Sequence, residues 1–240
     1  MLTAILFTFT LAADSGPLDA ALRASEAPKT LRAAFTAEVR RGEALRVVRF
    51  DPRDAPGERW QVAIARGEDS ELDDIVAHWG AEPAPDGRLF PDDLRASLSE
   101  TVEADDFGAA WRVRFRHQPS LNDGELDVWA SQTLAATAWL DPIAGRFIRI
   151  DHILPRPVRG PEGGRLMRWE QTHFLETEPS YGLSFVSGFV IDFEARGGFR
   201  TIRRRYSMKI RSAEFFFASA ADERRFLNDR ELAGTPAGLR

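Results

Sequence analysis

The sequence predicts a mainly β protein built on one antiparallel sheet of about eight strands, accompanied by short helices. Through most of the stretch from 31 to 215, apolar residues recur at every second position, the period of a strand with one buried face. Clusters of Pro, Gly and Asp separate these stretches at hairpin spacing. Two shorter stretches instead repeat with the 3.6-residue period of a helix.

The size and composition of the chain are those of a folded domain with a sizeable core. It has 240 residues, of which 43% are hydrophobic and 10% aromatic, and its net charge is -5. That charge does not favour nucleic acid as the main partner. The absence of cysteine excludes disulfides, thiolate metal sites and a cysteine nucleophile. Because no linker interrupts the pattern, we expect a single domain over residues 14–240.

The first residues predict export from the cytoplasm. Leu2 to Leu11 form an apolar run that is shorter than the roughly 20 residues needed to span a bilayer. Thr10 and Ala12 place small residues at the positions that a signal peptidase reads. We therefore predict a signal peptide at residues 1–13 and a periplasmic location. No Lys or Arg precedes the run, so a buried first strand and a misplaced start site are the alternatives.

The elements up to residue 98 combine a strand meander with helices. Leu18, Ala21 and Leu22 predict a short helix that Pro28 ends. Period-two alternation then predicts three strands that form a meander, at 31–39, 45–50 and 60–64. A helical insertion follows at 69–98: its first helix carries apolar residues at helical spacing up to Trp79, and a second short helix is expected at 91–98.

The remaining chain predicts further hairpins and a short C-terminal helix. Strands are expected at the following ranges: 111–116, 133–140, 146–154, 167–173, 183–193 and 202–211. Nearly every one has an apolar face and a charged face, so one side of the sheet meets the core and the other meets water.

Catalytic and metal-binding signatures are missing. The four histidines show no metal-ligand spacing. His78 lies beside Trp79 in the predicted helix, and His117, His152 and His173 are expected to be solvated or capped on or near separate strands. Nucleophile elbows, phosphate loops and dinucleotide fingerprints are absent. We therefore expect no catalytic residues, no metal and no cofactor, and a protein that is not an enzyme. A hydrolase assembled from scattered residues is kept as a third hypothesis.

Basic residues crowd into the last predicted hairpin, where Arg203, Arg205, Lys209 and Arg211 share the outward face. One interpretation is a solvated face that protects the strand from edge aggregation. The other is transient contact with anionic lipid head groups at a membrane surface.

The order of elements resembles the periplasmic lipoprotein-carrier superfamily, which contains the Lol carrier and its outer-membrane receptor. The resemblance rests on Phe35 in the first meander strand, Arg59 and Trp60 opening the third, and the turn from Leu140 to Arg146. It implies a curled antiparallel half-barrel that is capped by helices and holds acyl chains in an apolar hollow. The expected partner is an acyl chain, a lipid or a lipoprotein.

The inward face of the predicted sheet is rich in aromatic residues, which either pack as a core or surround a hollow. With the resemblance, the predicted ligand-binding residues are Phe35, Trp60, Val62, Trp111, Phe115, Phe185, Phe189, Ile191, Tyr206 and Met208. The leading hypothesis is a periplasmic carrier-like protein. The alternative is a non-catalytic envelope scaffold with a filled core.

Overall fold

A computed structural model describes residues 5–10, 16–91, 101–116, 133–160, 163–197 and 200–234. In these ranges the chain is mainly β, as predicted. The strands are β1 Ile5–Thr10, β2 Leu31–Arg41, β3 Ala44–Phe50, β4 Trp60–Arg66, β5 Thr101–Asp106, β6 Trp111–Arg116, β7 Ala135–Asp141, β8 Arg146–Ile153, β9 Val158–Arg159, β10 Arg165–Thr177, β11 Ser184–Gly197 and β12 Arg200–Phe217. The helices are α1 Pro17–Ser25, α2 Ser70–Gly80, α3 Ala220–Gly234 and a 3-10 helix at Pro85–Leu89.

All strands belong to one antiparallel sheet, in the order β1-β5-β6-β7-β8-β10-β11-β12-β2-β3-β4, with β9 paired to β10. The sheet curls but does not close, since β1 and β4 lie at its two edges. This open half-barrel confirms the predicted fold class. Three of its strands are not among the predicted ones. The strand β9 is only two residues long, β5 is rich in acidic residues, and the apolar run that forms β1 matches a signal peptide.

Residues 5–10 of the predicted signal peptide form the edge strand β1. They pair with β5 from Ile5 opposite Asp106 to Thr10 opposite Thr101. A first strand was the alternative considered for this segment, while export remains a prediction. The helix expected at 91–98 lies outside the described residues, apart from Pro91. None of the described helices combines the length and apolar character that crossing a membrane requires.

One end of the concave face is covered by α1. Its apolar residues Leu18, Ala21 and Leu22 follow helical spacing and are fully buried against strands β7 and β8. Pro17 occupies the first turn, where the missing N–H has no helical partner to lose. The result is a core of aliphatic residues between α1 and strands β5 to β8.

The other end of the concave face is covered by α2. The carboxylate of Asp69 caps this helix by accepting the N–H of Leu72 at 3.0 Å. Leu72, Val76 and Trp79 point into the sheet, and the Trp79 ring stacks on Phe35 with the centroids 5.3 Å apart. A second core, rich in aromatic residues, therefore lies between α2 and strands β2, β3, β11 and β12.

The segment from 81 to 91, which contains the 3-10 helix, is held to β2 by a buried ion pair. Both carboxylate oxygens of Asp86 accept hydrogen bonds from Arg32, at 2.7 and 2.9 Å. One of them also accepts the backbone N–H of Ala33 at 3.1 Å. Nearby, Trp79 Nε1 donates to the carbonyl of Pro85 at 2.9 Å. Asp86 is 1% exposed, so its carboxylate is shielded from water, whereas the Arg32 side chain is 35% exposed.

We predict that Asp86→Ala lowers the free energy of unfolding by about 2–3 kcal/mol, because it removes buried hydrogen bonds to a charged partner. Urea unfolding followed by circular dichroism measures this. The control is Asp74→Ala, since Asp74 is exposed on α2 and its loss is expected to cost about 0.5 kcal/mol or less. Equal effects of the two substitutions would contradict the role given to Asp86.

Candidate functional site

A cleft of about 440 Å³ opens on the concave face, beside the segment from 81 to 91. Strands β8, β10, β11 and β12 form its floor, and residues between Glu82 and Pro91 form the opposite wall. The volume falls in the range of about 300–1,000 Å³ that is usual for small-molecule sites. We take this cleft as the candidate site.

Strand register decides which side chains meet in the floor. His173 lies opposite Ile150 on one side and opposite Phe189 on the other. Two residues earlier on β10, Gln171 lies opposite His152. Residues opposite each other in antiparallel strands project to the same face, and so do residues two apart on one strand. The floor therefore consists of adjacent rows of side chains.

These rows differ in polarity. The row that contains Gln171 is polar at the cleft, with His152 on one side and, beyond Ile191, Tyr206 on the other. The next row contains His173 between two apolar residues. Further along β11, Val186 continues the floor as an apolar surface. The floor thus changes from polar to apolar along the strand direction.

The opposite wall of the cleft also changes from polar to apolar side chains. Glu82 and Arg88 line it as an ion pair, in which Arg88 Nε lies 3.0 and 3.1 Å from the two carboxylate oxygens. The Arg88 guanidinium also lies over the Trp79 ring, 5.6 Å from its centroid. At the end of this segment, Phe90 contributes an apolar ring and contacts Phe215 with the centroids 5.9 Å apart.

Burial shifts the pKa values of two groups in the cleft. Removal from water raises the pKa of the Tyr206 phenol, against the opposing effect of the nearby charge of Arg88. The Tyr206 phenol and the Arg88 guanidinium therefore lie near each other, at the polar end of the cleft. Burial also lowers the pKa of His173 to about 4, although the charge of Asp151 acts in the opposite direction. The resulting neutral imidazole accepts a hydrogen bond at Nε2 from the Gln171 amide Nε2, 3.1 Å away.

The sequence did not identify the histidines as part of a site. His152 and His173 were expected to be solvated or capped, but both line the cleft, with ring centroids 6.0 Å apart. A signal was present: Trp169, Gln171 and His173 alternate with Arg168, Glu170 and Thr172 on β10, which indicates an inward face. Arg88 and Glu82 had no such signal, because they lie in an irregular segment.

The structure brings two of the predicted ligand-binding residues into the cleft, Phe189 and Tyr206. Ile191 and Met208 are buried in the core beside it. Phe35 and Trp60 pack with Trp79 under α2.

The other predicted residues lie further away. Phe115 is buried in the core under α1, with Trp111 packed against it. Phe185 lines a separate cleft between β11 and β12. Val62 is 49% exposed on the edge strand β4.

Ion pairs neutralise part of the predicted basic face. Arg203 pairs with Glu194, and Arg211 pairs with Glu38. Arg205 and Lys209 form no ion pair with any residue that the structure describes.

Comparison of the chain with protein-family models, with curated proteins and with solved structures gave no match. Within the described ranges, no group of three or more His, Asp or Glu side chains is placed to hold a metal ion.

We predict that His173 makes the protein less stable as the pH falls from about 6.5 to about 4. In this interval the unfolded chain binds a proton at this position and the folded chain does not, so protonation favours unfolding. Urea unfolding at pH 7.0 and 5.0 should show a smaller loss of stability in His173→Gln than in the wild type. Because the carboxylates are common to both proteins, the difference isolates His173. An equal loss in both proteins would contradict the prediction.

Proposed function

We propose that this protein is a periplasmic, carrier-like binding protein that holds the acyl chain of a lipid or lipoprotein in the concave cleft. The observation that carries the proposal is the polarity gradient of the cleft, from His152, Gln171 and Tyr206 at one end to Val186 and Phe90 at the other. An amphiphile, with a polar head and an apolar chain, has the same gradient.

The apolar end supplies the binding energy in this proposal. Ile150, Val186 and Phe189 from the floor, with Phe90 from the wall, offer contact surface to methylene groups. Each methylene that leaves water contributes about 0.8 kcal/mol. No covalent step is needed, so binding and release depend on the length of buried chain.

The polar end would orient the ligand. A bare hydrocarbon would cover the Tyr206 hydroxyl without giving it a hydrogen-bond partner, which is costly. An ester or other oxygen-rich group placed there would accept a hydrogen bond from this hydroxyl and from the second N–H of the Gln171 amide, whose first N–H is directed at His173. The neighbouring Arg88 is already paired with Glu82. The proposed ligand is therefore an acyl chain that carries an oxygen-rich head, rather than a plain alkane.

A filled-core scaffold remains the second candidate, and one observation favours it. Phe35, Trp60 and Phe115, which were expected to surround a hollow, belong to two packed cores. Mass spectrometry of organic-solvent extracts from protein purified without detergent separates the two candidates. A stoichiometric acylated molecule supports the carrier, whereas a clean extract together with no uptake of a fluorescent fatty acid supports the scaffold.

We predict that Phe189→Glu abolishes binding of a fluorescent fatty acid, because it places a charge in the apolar part of the floor. The matched control is Phe174→Glu: Phe174 is 44% exposed on the neighbouring strand, outside the residues that line the cleft, and this variant should bind like the wild type. Ile150→Phe, which narrows the cleft without adding charge, should weaken binding as well. Circular dichroism verifies that each variant is folded, and unchanged binding in folded Phe189→Glu and Ile150→Phe would overturn the cleft assignment.

A further inference from the structure

Strands β11 and β12 separate before they end. They pair from Gly197 opposite Arg200 as far as Gly188 opposite Lys209. Beyond that point, residues 184–186 pair only with β10, and residues 210 and 212–217 pair only with β2. Two strands that are neighbours in the sheet thus present free edges to each other.

A bulge on each strand accompanies the separation. The β10–β11 register shifts between Phe174 and Leu175, which leaves Ser187 without an opposite residue. The β12–β2 register shifts in the same way and leaves Arg211 without one. Bulges bend strands, and they recur near functional sites rather than as defects. Here both occur within two residues of the last pair.

The space between the strands is a slot of about 460 Å³. Its apolar lining includes Phe185 from β11 and Phe215 from β12, whose ring centroids lie 5.1 Å apart. At the far end, Leu183 and Phe217 are buried in one cluster, against which Phe226 of α3 packs. The slot is therefore bounded by the last β11–β12 pair at one end and by a small core at the other.

The two strand edges that border the slot carry backbone hydrogen-bonding groups. Every second residue of a strand edge presents its N–H and C=O to the neighbouring position, and such groups need hydrogen-bond partners. In the part of the chain that the structure describes, residues 184–187 and 210–217 have no strand on the sides that face the slot. Because β11 and β12 are antiparallel to each other, an extended strand that entered the slot would lie antiparallel to one of them and parallel to the other.

We propose that this slot binds an extended peptide segment of another protein by strand insertion. Its apolar side chains would meet Phe185 and Phe215, while its backbone bonds to both edges. The charges that line the slot indicate the chemistry of the segment. Arg211 is paired with Glu38 and Glu214 with Arg53, whereas the rim residue Glu176 is exposed and has no ion pair with any described residue. The segment is therefore basic, with Arg or Lys alternating with β-branched residues.

The probe is the heptapeptide TVRVRVT with a fluorescein at its N-terminus and an amidated C-terminus. The protein is titrated into it, and binding is followed by fluorescence anisotropy and by amide hydrogen exchange of the protein. We expect binding, with slower exchange at residues 184–187 and 210–216. A control peptide with N-methylated valines keeps its side chains but loses backbone donors, so it should bind at least about tenfold more weakly. Glu176→Lys should weaken binding by a similar factor, and Glu170→Lys, an exposed position on the same strand outside the slot lining, should not.

Other outcomes would overturn the proposal. These are no binding, equal binding of the N-methylated peptide, equal binding by Glu176→Lys, and protection confined to other residues. Protection of the two segments that rises with protein concentration in the absence of peptide would assign the slot to a second copy of this chain instead. Phe189→Glu should retain peptide binding, so failure of the slot and failure of the acyl-binding cleft are distinguishable.

Discussion

The concave cleft depends on one buried carboxylate. Asp86 receives both the guanidinium of Arg32 and the backbone N–H of Ala33, and so fixes the segment from 81 to 91 above the sheet. That segment carries Arg88 and Phe90 into the wall of the cleft. An irregular segment has no ladder of its own to hold it, and a charge-assisted bond to a buried carboxylate supplies a specific anchor. The bond from Trp79 to the carbonyl of Pro85 and the contact of Phe90 with Phe215 hold the same segment in place.

The two helices divide the concave face into filled and unfilled parts. At one end α1 buries Leu18 and Leu22, and at the other α2 buries Trp79. Each core is packed by residues at helical spacing against residues at strand spacing. The cleft opens where the two cores border each other: Ile150 in its floor belongs to the core under α1, whereas Val186 and Phe189 belong to the core under α2. The polar residues of its floor are compatible with solvent or a polar ligand group. This arrangement supports a binding role more directly than the aromatic content of the chain does.

The outer face is stabilised by charge. Three acidic residues that are less than one-tenth exposed, Glu38, Asp105 and Asp151, each accept hydrogen bonds from basic or polar neighbours on the same or adjacent strands. The arginine pair Arg112 and Arg114 therefore serves Asp105 rather than an external anion. In these three clusters, the basic residues of a strand are partners for acidic residues on the same or the adjacent strand.

The sequence by itself determined the fold class, the meander β2 to β4, the positions of α1 and α2, and which face of most strands is buried. These follow from local periodicity, because the spacing of apolar residues along one element sets the face it can bury. Only the tertiary structure decided which aromatic residues fill cores and which border a cleft, since Phe35 and Phe189 have the same pattern but different neighbours across the sheet. The same holds for Asp86 and Arg32, 54 positions apart in the chain. Strand register and the packing of irregular segments join residues that are distant in sequence, and local periodicity carries no information about those partners.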